Sequence, residues 1–150
     1  MDRFARIIVG YHGCHARYGE ELLLGKTPVA EWKKSQNDFD WLGEGVYFWE
    51  HSLERAWQWA ASQYGGDGFV IGALIQLGAC FDLMDARCTL LLAQSYSEFV
   101  EALQARKKKL PTNGGVKKKA RKLDCAVINR CLDRMIAKDV SFDTVRGAFL

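Results

Sequence analysis

The 150 residues contain no apolar run near the roughly 18 that a membrane-spanning helix needs, which excludes such a span. No leader is expected either. MDRFARIIVGYHG has too short an apolar stretch for a secretory signal and passes directly into a strand-like pattern, so a cytoplasmic location is expected. The five cysteines, Cys14, Cys80, Cys88, Cys125 and Cys131, form no Cys-x-x-Cys pair, and an odd number cannot all pair. They read as reduced thiols, mostly buried as small apolar side chains. Zinc ligands cluster at short loop spacings, and the only close set is His12, Cys14 and His15. That set reads more readily as strand-end residues than as a metal site, so no metal is expected. No internal repeat is visible. Acidic residues are missing from one stretch, Arg106 to Lys122 (RKKKLPTNGGVKKKARK), which holds nine basic residues and no acid. Such a block is either a solvated loop with helix ends or a phosphate-contacting patch. In the second case Lys107, Lys108, Lys109, Lys117, Lys118 and Lys119 would bind nucleic acid.

The remaining composition, 49% apolar and 26% charged, is ordinary globular usage. One domain is expected over residues 1–150. At that size folding removes about 68–70% of the unfolded chain's surface from water, so no disulfide or metal staple is required. Phe4 to Tyr11 predicts a buried strand ending near His12. Glu20 to Leu24 predicts a short helix stopped by Gly25. Lys26 to Gly43 is polar and reads as a long surface loop, uncommon in compact domains unless it has a function. Gly45 to Trp49 is a short β run, with Tyr47 and Trp49 on one face. Ser52 then caps a helix in which Leu53, Ala56, Trp57, Ala60 and Tyr64 repeat at helical spacing, broken by Gly65-Gly66-Asp67-Gly68. Phe69 to Leu83 is apolar on both alternating faces and predicts a covered central strand, bent at Gly72, Gln76 or Gly78. Ser95-x-x-Glu98 reads as a capping box opening a helix, and Cys125, Ile128, Leu132 and Met135 mark another. Phe142 to Leu150 reads as a final strand, either tucked into a sheet or cut short. The fold class is α+β.

Three features then stand in order: Tyr11-His12-Gly13 at a strand end, Gly45-Val46-Tyr47-Phe48, and Ala56 nine residues after Tyr47. In this order and spacing the chain resembles the ADP-ribosyltransferase superfamily, in its diphtheria-toxin and poly(ADP-ribose) polymerase branch. The resemblance covers roughly residues 6 to 83. Asn37 to Glu50 (NDFDWLGEGVYFWE) is also similar to small bacterial proteins of that fold, including toxins of toxin–antitoxin and phage-defence systems. The resemblance implies a split β-sheet with packed helices, a late helical insertion and NAD as co-substrate. His12 would hydrogen-bond ribose hydroxyls. Gly13 would offer its backbone to the nicotinamide carboxamide, with Gly45 beside it. Tyr47 would stack on the nicotinamide ring. By its position alone, in the loop before Tyr47, Trp41 would act as a lid over the dinucleotide.

Two departures from the family pattern matter. A Ser and a Tyr that flank the helical Ala in the polymerase branch are here Arg55 and Gln58, so the second stacking ring is absent unless Trp57 or Trp59 substitutes. Arg55 would face a dinucleotide phosphate or be an ordinary surface arginine. The family's third site residue, a strand-borne Glu, has no counterpart, because no Glu follows Glu101. The resemblance places it beyond Leu150. Three functions are compatible with this: ADP-ribose transfer to a macromolecule, a catalytically incomplete module gripping nucleic acid or an antitoxin, and NAD hydrolysis by water.

Overall fold

The structure, a computed structural model, describes residues 6–115 and 120–148. Among these residues are four α-helices and three small sheets, a mixed architecture compatible with the α+β class. The chain falls into two compact units, each assembled from two stretches of sequence: 6–34 with 46–77, and 35–45 with 78–148.

The middle strand of the first unit is β1 (Ile7–His15). It runs antiparallel to β2 (Trp49–Glu50) through Gly10–Glu50 and Tyr11–Trp49. Against β3 (Gly68–Gln76) it pairs without interruption, from Ile7 opposite Gln76 to His15 opposite Gly68. Strand alternation puts Gly10, His12 and Cys14 on one face and Tyr11, Gly13 and His15 on the other. The helix α1 (Ala16–Leu23) covers the first face, where buried Cys14, Leu22 and Ile71 gather Tyr18, Trp32 and Phe69 around them. The helix α2 (Leu53–Tyr64) covers the second, with Ala56 and Ala60 fully buried.

Several boundaries move from their sequence-based positions. The strand expected to end near His12 runs on to His15, because Gly13, Cys14 and His15 find partners in Val70, Phe69 and Gly68. Its expected start, Phe4 and Ala5, lies outside the described residues. The helix α1 starts at Ala16 rather than Glu20, because the His15 imidazole caps it by accepting the Arg17 N–H at 3.2 Å. Gly25 ends it at φ +64°, as its position predicts. Gly45 to Phe48 is irregular, and strand pairing begins only at Trp49. Phe69 to Leu83 is not one central strand. It divides into β3, an edge strand on which Leu74 is 78% exposed, and β4 (Cys80–Asp82) of the second unit.

In the second unit β4 pairs in parallel with β7 (Thr144–Arg146). The helices α3 (Ala86–Ala105) and α4 (Lys122–Ile136) pack together, and β5 (Asn113–Gly114) pairs antiparallel with β6 (Ala120–Arg121). The core is Phe81, Cys88 and Cys131, ringed by Leu91, Leu132, Phe142 and Val145. Ser95 opens no helix. It sits buried within α3, where its hydroxyl accepts from Arg134 at 3.0 Å, while Arg134 also pairs with Glu98 at 2.7 Å. The cap of α3 is Asp85, whose carboxylate takes the Arg87 N–H at 2.8 Å. The Arg87 side chain bonded to that carboxylate holds its pKa down at about 2. The last expected strand shortens to Thr144–Arg146, with Phe149 and Leu150 outside the described residues.

Candidate functional site

The first unit brings His12 and Tyr47 together. The ring of His12 is half-buried on the α1 side of the sheet, with its Nδ1 2.9 Å from the Tyr47 carbonyl oxygen. A carbonyl only accepts, so Nδ1 carries the proton and donates. Burial lowers the His12 pKa below its usual 6.5, and the carbonyl bond opposes that only in part. The imidazole is therefore neutral at pH 7. Its other nitrogen, Nε2, is left as a hydrogen-bond acceptor. Phe48 lies 5.5 Å and Trp32 6.5 Å from the imidazole centroid, and the two aromatic rings stack on each other at 6.3 Å.

This arrangement makes stability pH-dependent. Since the folded-state pKa of His12 lies below 6.5, the unfolded chain binds the proton first. The contribution is complete above the unfolded value and is lost as pH falls from 6.5 through the lowered folded value. Urea midpoints of the wild type and His12→Asn at pH 7.5 and 5.5 check this. The wild type should lose more stability than the variant on acidification, and equal losses would contradict the assignment.

Gly13 is buried, and the reason is packing. A Cβ there would stand 2.9 Å from Cε3 of Trp59 and 3.0 Å from the Ala56 carbonyl oxygen, so the missing side chain lets α2 lie close on the strand. Its backbone has a second property. The Val9 carbonyl accepts the His51 N–H at 2.9 Å on the β2 side, and antiparallel alternation directs the Gly13 N–H and C=O to that same side. There they lie past the last β1–β2 pair, Tyr11–Trp49.

Not every candidate joins this group. Arg55 and Trp57 are exposed on α2, the helix that covers the sheet face opposite the His12 ring. Trp59 is turned inward, against Gly13 and, edge-on at 6.0 Å, against Tyr64. Gly45 belongs to the other unit, where its carbonyl accepts the Ser35 N–H at 2.8 Å. Trp41 is also there. Its ring packs over Gly147, where a Cβ would meet Cη2 at 2.6 Å, so it is wedged within its own unit. Lys107, Lys108 and Lys109 are exposed after α3, with Lys107 at φ +51°. Lys117, Lys118 and Lys119 lie outside the described residues. His15 spends its Nδ1 on the cap of α1, and among the described residues no group of His, Cys, Asp and Glu is placed to hold a metal. All five cysteines are free, and burial pushes the Cys14, Cys88 and Cys125 thiols up.

Trp32 is the residue that sequence reasoning missed. Its one signal was a large aromatic ring in a mostly polar loop, which it shares with Phe39 and Trp41. A cleft of about 380 Å³ lies in the second unit, between the 35–44 segment and α4, lined by Asp40, Lys122, Cys125 and Asn129 among others. Among the described residues, none of the expected site residues lines it. Comparison of the chain with protein-family models, curated proteins and solved structures gives no match. Among the described residues no helix is long and apolar enough to cross a membrane.

Proposed function

We propose that the first unit is the NAD-binding part of an ADP-ribosyltransferase site, in a cytoplasmic bacterial toxin of the toxin–antitoxin or phage-defence kind. The observation that carries this reading is the fixed, neutral His12, with Nδ1 donating to the Tyr47 carbonyl and Nε2 left to accept. A ribose hydroxyl is a donor and suits Nε2. A carboxamide both donates and accepts, which suits the Gly13 N–H and C=O. In the reaction the bond between nicotinamide and ribose breaks and nicotinamide leaves with the electron pair. The acceptor nucleophile then bonds to the ribose carbon and loses its proton. The chain's part is to hold the dinucleotide so that these atoms meet, a contribution of orientation rather than of proton transfer by His12. The Tyr47 ring is the candidate stacking partner for nicotinamide, independent of the main-chain contact to His12.

The test is incubation with labelled NAD and separated RNA, DNA and protein fractions, alongside calorimetric titration with NAD. Saturable NAD binding is expected, with label in one macromolecular fraction. No binding at millimolar NAD would overturn the proposal.

A second reading, a module that grips nucleic acid or an antitoxin without transfer, draws on the exposed Lys107–Lys109 run. Replacing those three by alanine should flatten the salt dependence of nucleic-acid binding by about 2–3 logarithmic units of slope. An unchanged slope reduces the run to a solvated loop end.

A further inference from the structure

We propose that Trp32 is a positioning residue for His12: together with Phe48 it walls the imidazole off from water and so keeps His12 in the single tautomer that the Tyr47 carbonyl selects. The ring geometry is the first ground. Trp32, Phe48 and His12 lie 5.5 to 6.5 Å apart as a closed trio, within the range of favourable aromatic contacts. Ile71, the cross-strand partner of His12, is buried beside them, and Trp32 packs on the cluster to which Ile71 belongs.

The second ground is how firmly Trp32 is held. A single 3-10 turn, Val29–Glu31, delivers it, and its backbone N–H closes that turn onto the Val29 carbonyl at 3.1 Å. Its indole N–H reaches the Thr27 carbonyl at 3.3 Å. The next residue, Lys33, donates its backbone N–H to the Tyr18 hydroxyl at 2.8 Å, and its ammonium sits 4.8 Å over the Tyr18 ring. The residue after Trp32 is thus fastened to α1 and the indole itself to the loop's own backbone, and such fastening serves a ring that must stay in one place. Lowering of the His12 pKa by burial agrees with this wall.

Few other ionisable groups bear on the imidazole. On β1 the neighbour on the same face is Cys14, a thiol pushed up by burial. Tyr18 on α1 is engaged with Lys33, and Glu50, opposite Gly10, has its carboxylate 3.9 Å from His51. The strand β3 carries no ionisable side chain.

The test is nitrogen-15 NMR of the histidine rings during a pH titration. In the wild type His12 should show the Nδ1–H tautomer and titrate below its usual range. In Trp32→Ala it should titrate upward toward that range and show both tautomers, while Trp32→Phe should restore the wild-type pattern. If the alanine variant does not fold, Trp32→Leu must move the His12 signals in the same direction. Unchanged signals in folded Trp32→Ala or Trp32→Leu overturn the proposal, as does a Trp32→Phe variant that behaves like alanine. In parallel, the ratio of NAD Kd at pH 6 to that at pH 8 should widen several-fold in Trp32→Ala. The consequence for NAD rests on the proposed function, but the NMR readout does not. Failure of NAD to bind the wild type would sink only the functional reading.

Discussion

His12→Ala is expected to weaken NAD binding about 10- to 100-fold while leaving the chain folded. The figure follows from what is lost. A ribose hydroxyl would lose its acceptor, and the Tyr47 carbonyl, part-buried and 2.9 Å from Nδ1, would lose its donor. Leaving buried polar partners unsatisfied costs about 1–3 kcal/mol, and 1.4 kcal/mol is tenfold in affinity. Calorimetric titration at pH 8, where the imidazole is neutral in any case, isolates this from protonation. Tyr47→Phe is the matched control. It keeps the main-chain carbonyl and therefore the His12 geometry, so its effect reports the hydroxyl alone. An affinity unchanged in His12→Ala would remove His12 from the site, and with it the central support for a nicotinamide pocket.

Phe81→Ala is the substitution expected to cost the most stability. Its side chain is fully buried, meets Phe142 edge-on at 5.1 Å, and sits with Cys88 and Cys131 at the centre of the second unit's core. Truncating a buried phenylalanine removes its transfer energy and leaves a cavity, together about 3–5 kcal/mol. For a chain of this length that corresponds to roughly 6–20 °C in Tm. Thermal melts followed by near-ultraviolet circular dichroism check it. A shift under about 2 °C would mean that this core does not govern the melt.

The sequence carried the helices better than the strands. Ala56 and Ala60 in α2, and Ile128 in α4, bury at the helical spacing expected of them, and their periodicity is a local property. What escaped was set by distant partners. The division of Phe69 to Leu83 falls at Gly78, with φ +58°, where the turn is closed by Asp143 accepting the Ala79 N–H at 2.8 Å across 64 residues of sequence. Ser95 looked like a cap because Glu98 follows at the right interval, yet both side chains answer to Arg134 on another helix. A histidine cap for α1 also runs against ordinary cap preferences, which is why that helix was expected four residues late. For the candidate site, His12 and Tyr47 were legible and the structure joins them. The nature of their contact was not legible, since it uses the Tyr47 main chain, which sequence does not distinguish from any other. Trp32 was invisible for a related reason: nothing in a polar loop announces which ring an indole will meet.

The second unit's segment at 35–45 has a consequence for how the protein is made. That segment is tied down late. The Glu44 N–H donates to Asn129 at 2.7 Å over 85 residues of sequence, and Asp38 binds the start of α4 through the Arg121 N–H at 2.7 Å and Lys122 at 3.2 Å. On a ribosome adding about 5–20 residues per second, those partners emerge roughly 4–17 s after the segment itself. The first unit's sheet needs nothing beyond residue 77, so it is free to close in that interval. Synthesis therefore completes every residue of the His12 sheet before the partners of the 35–45 segment exist.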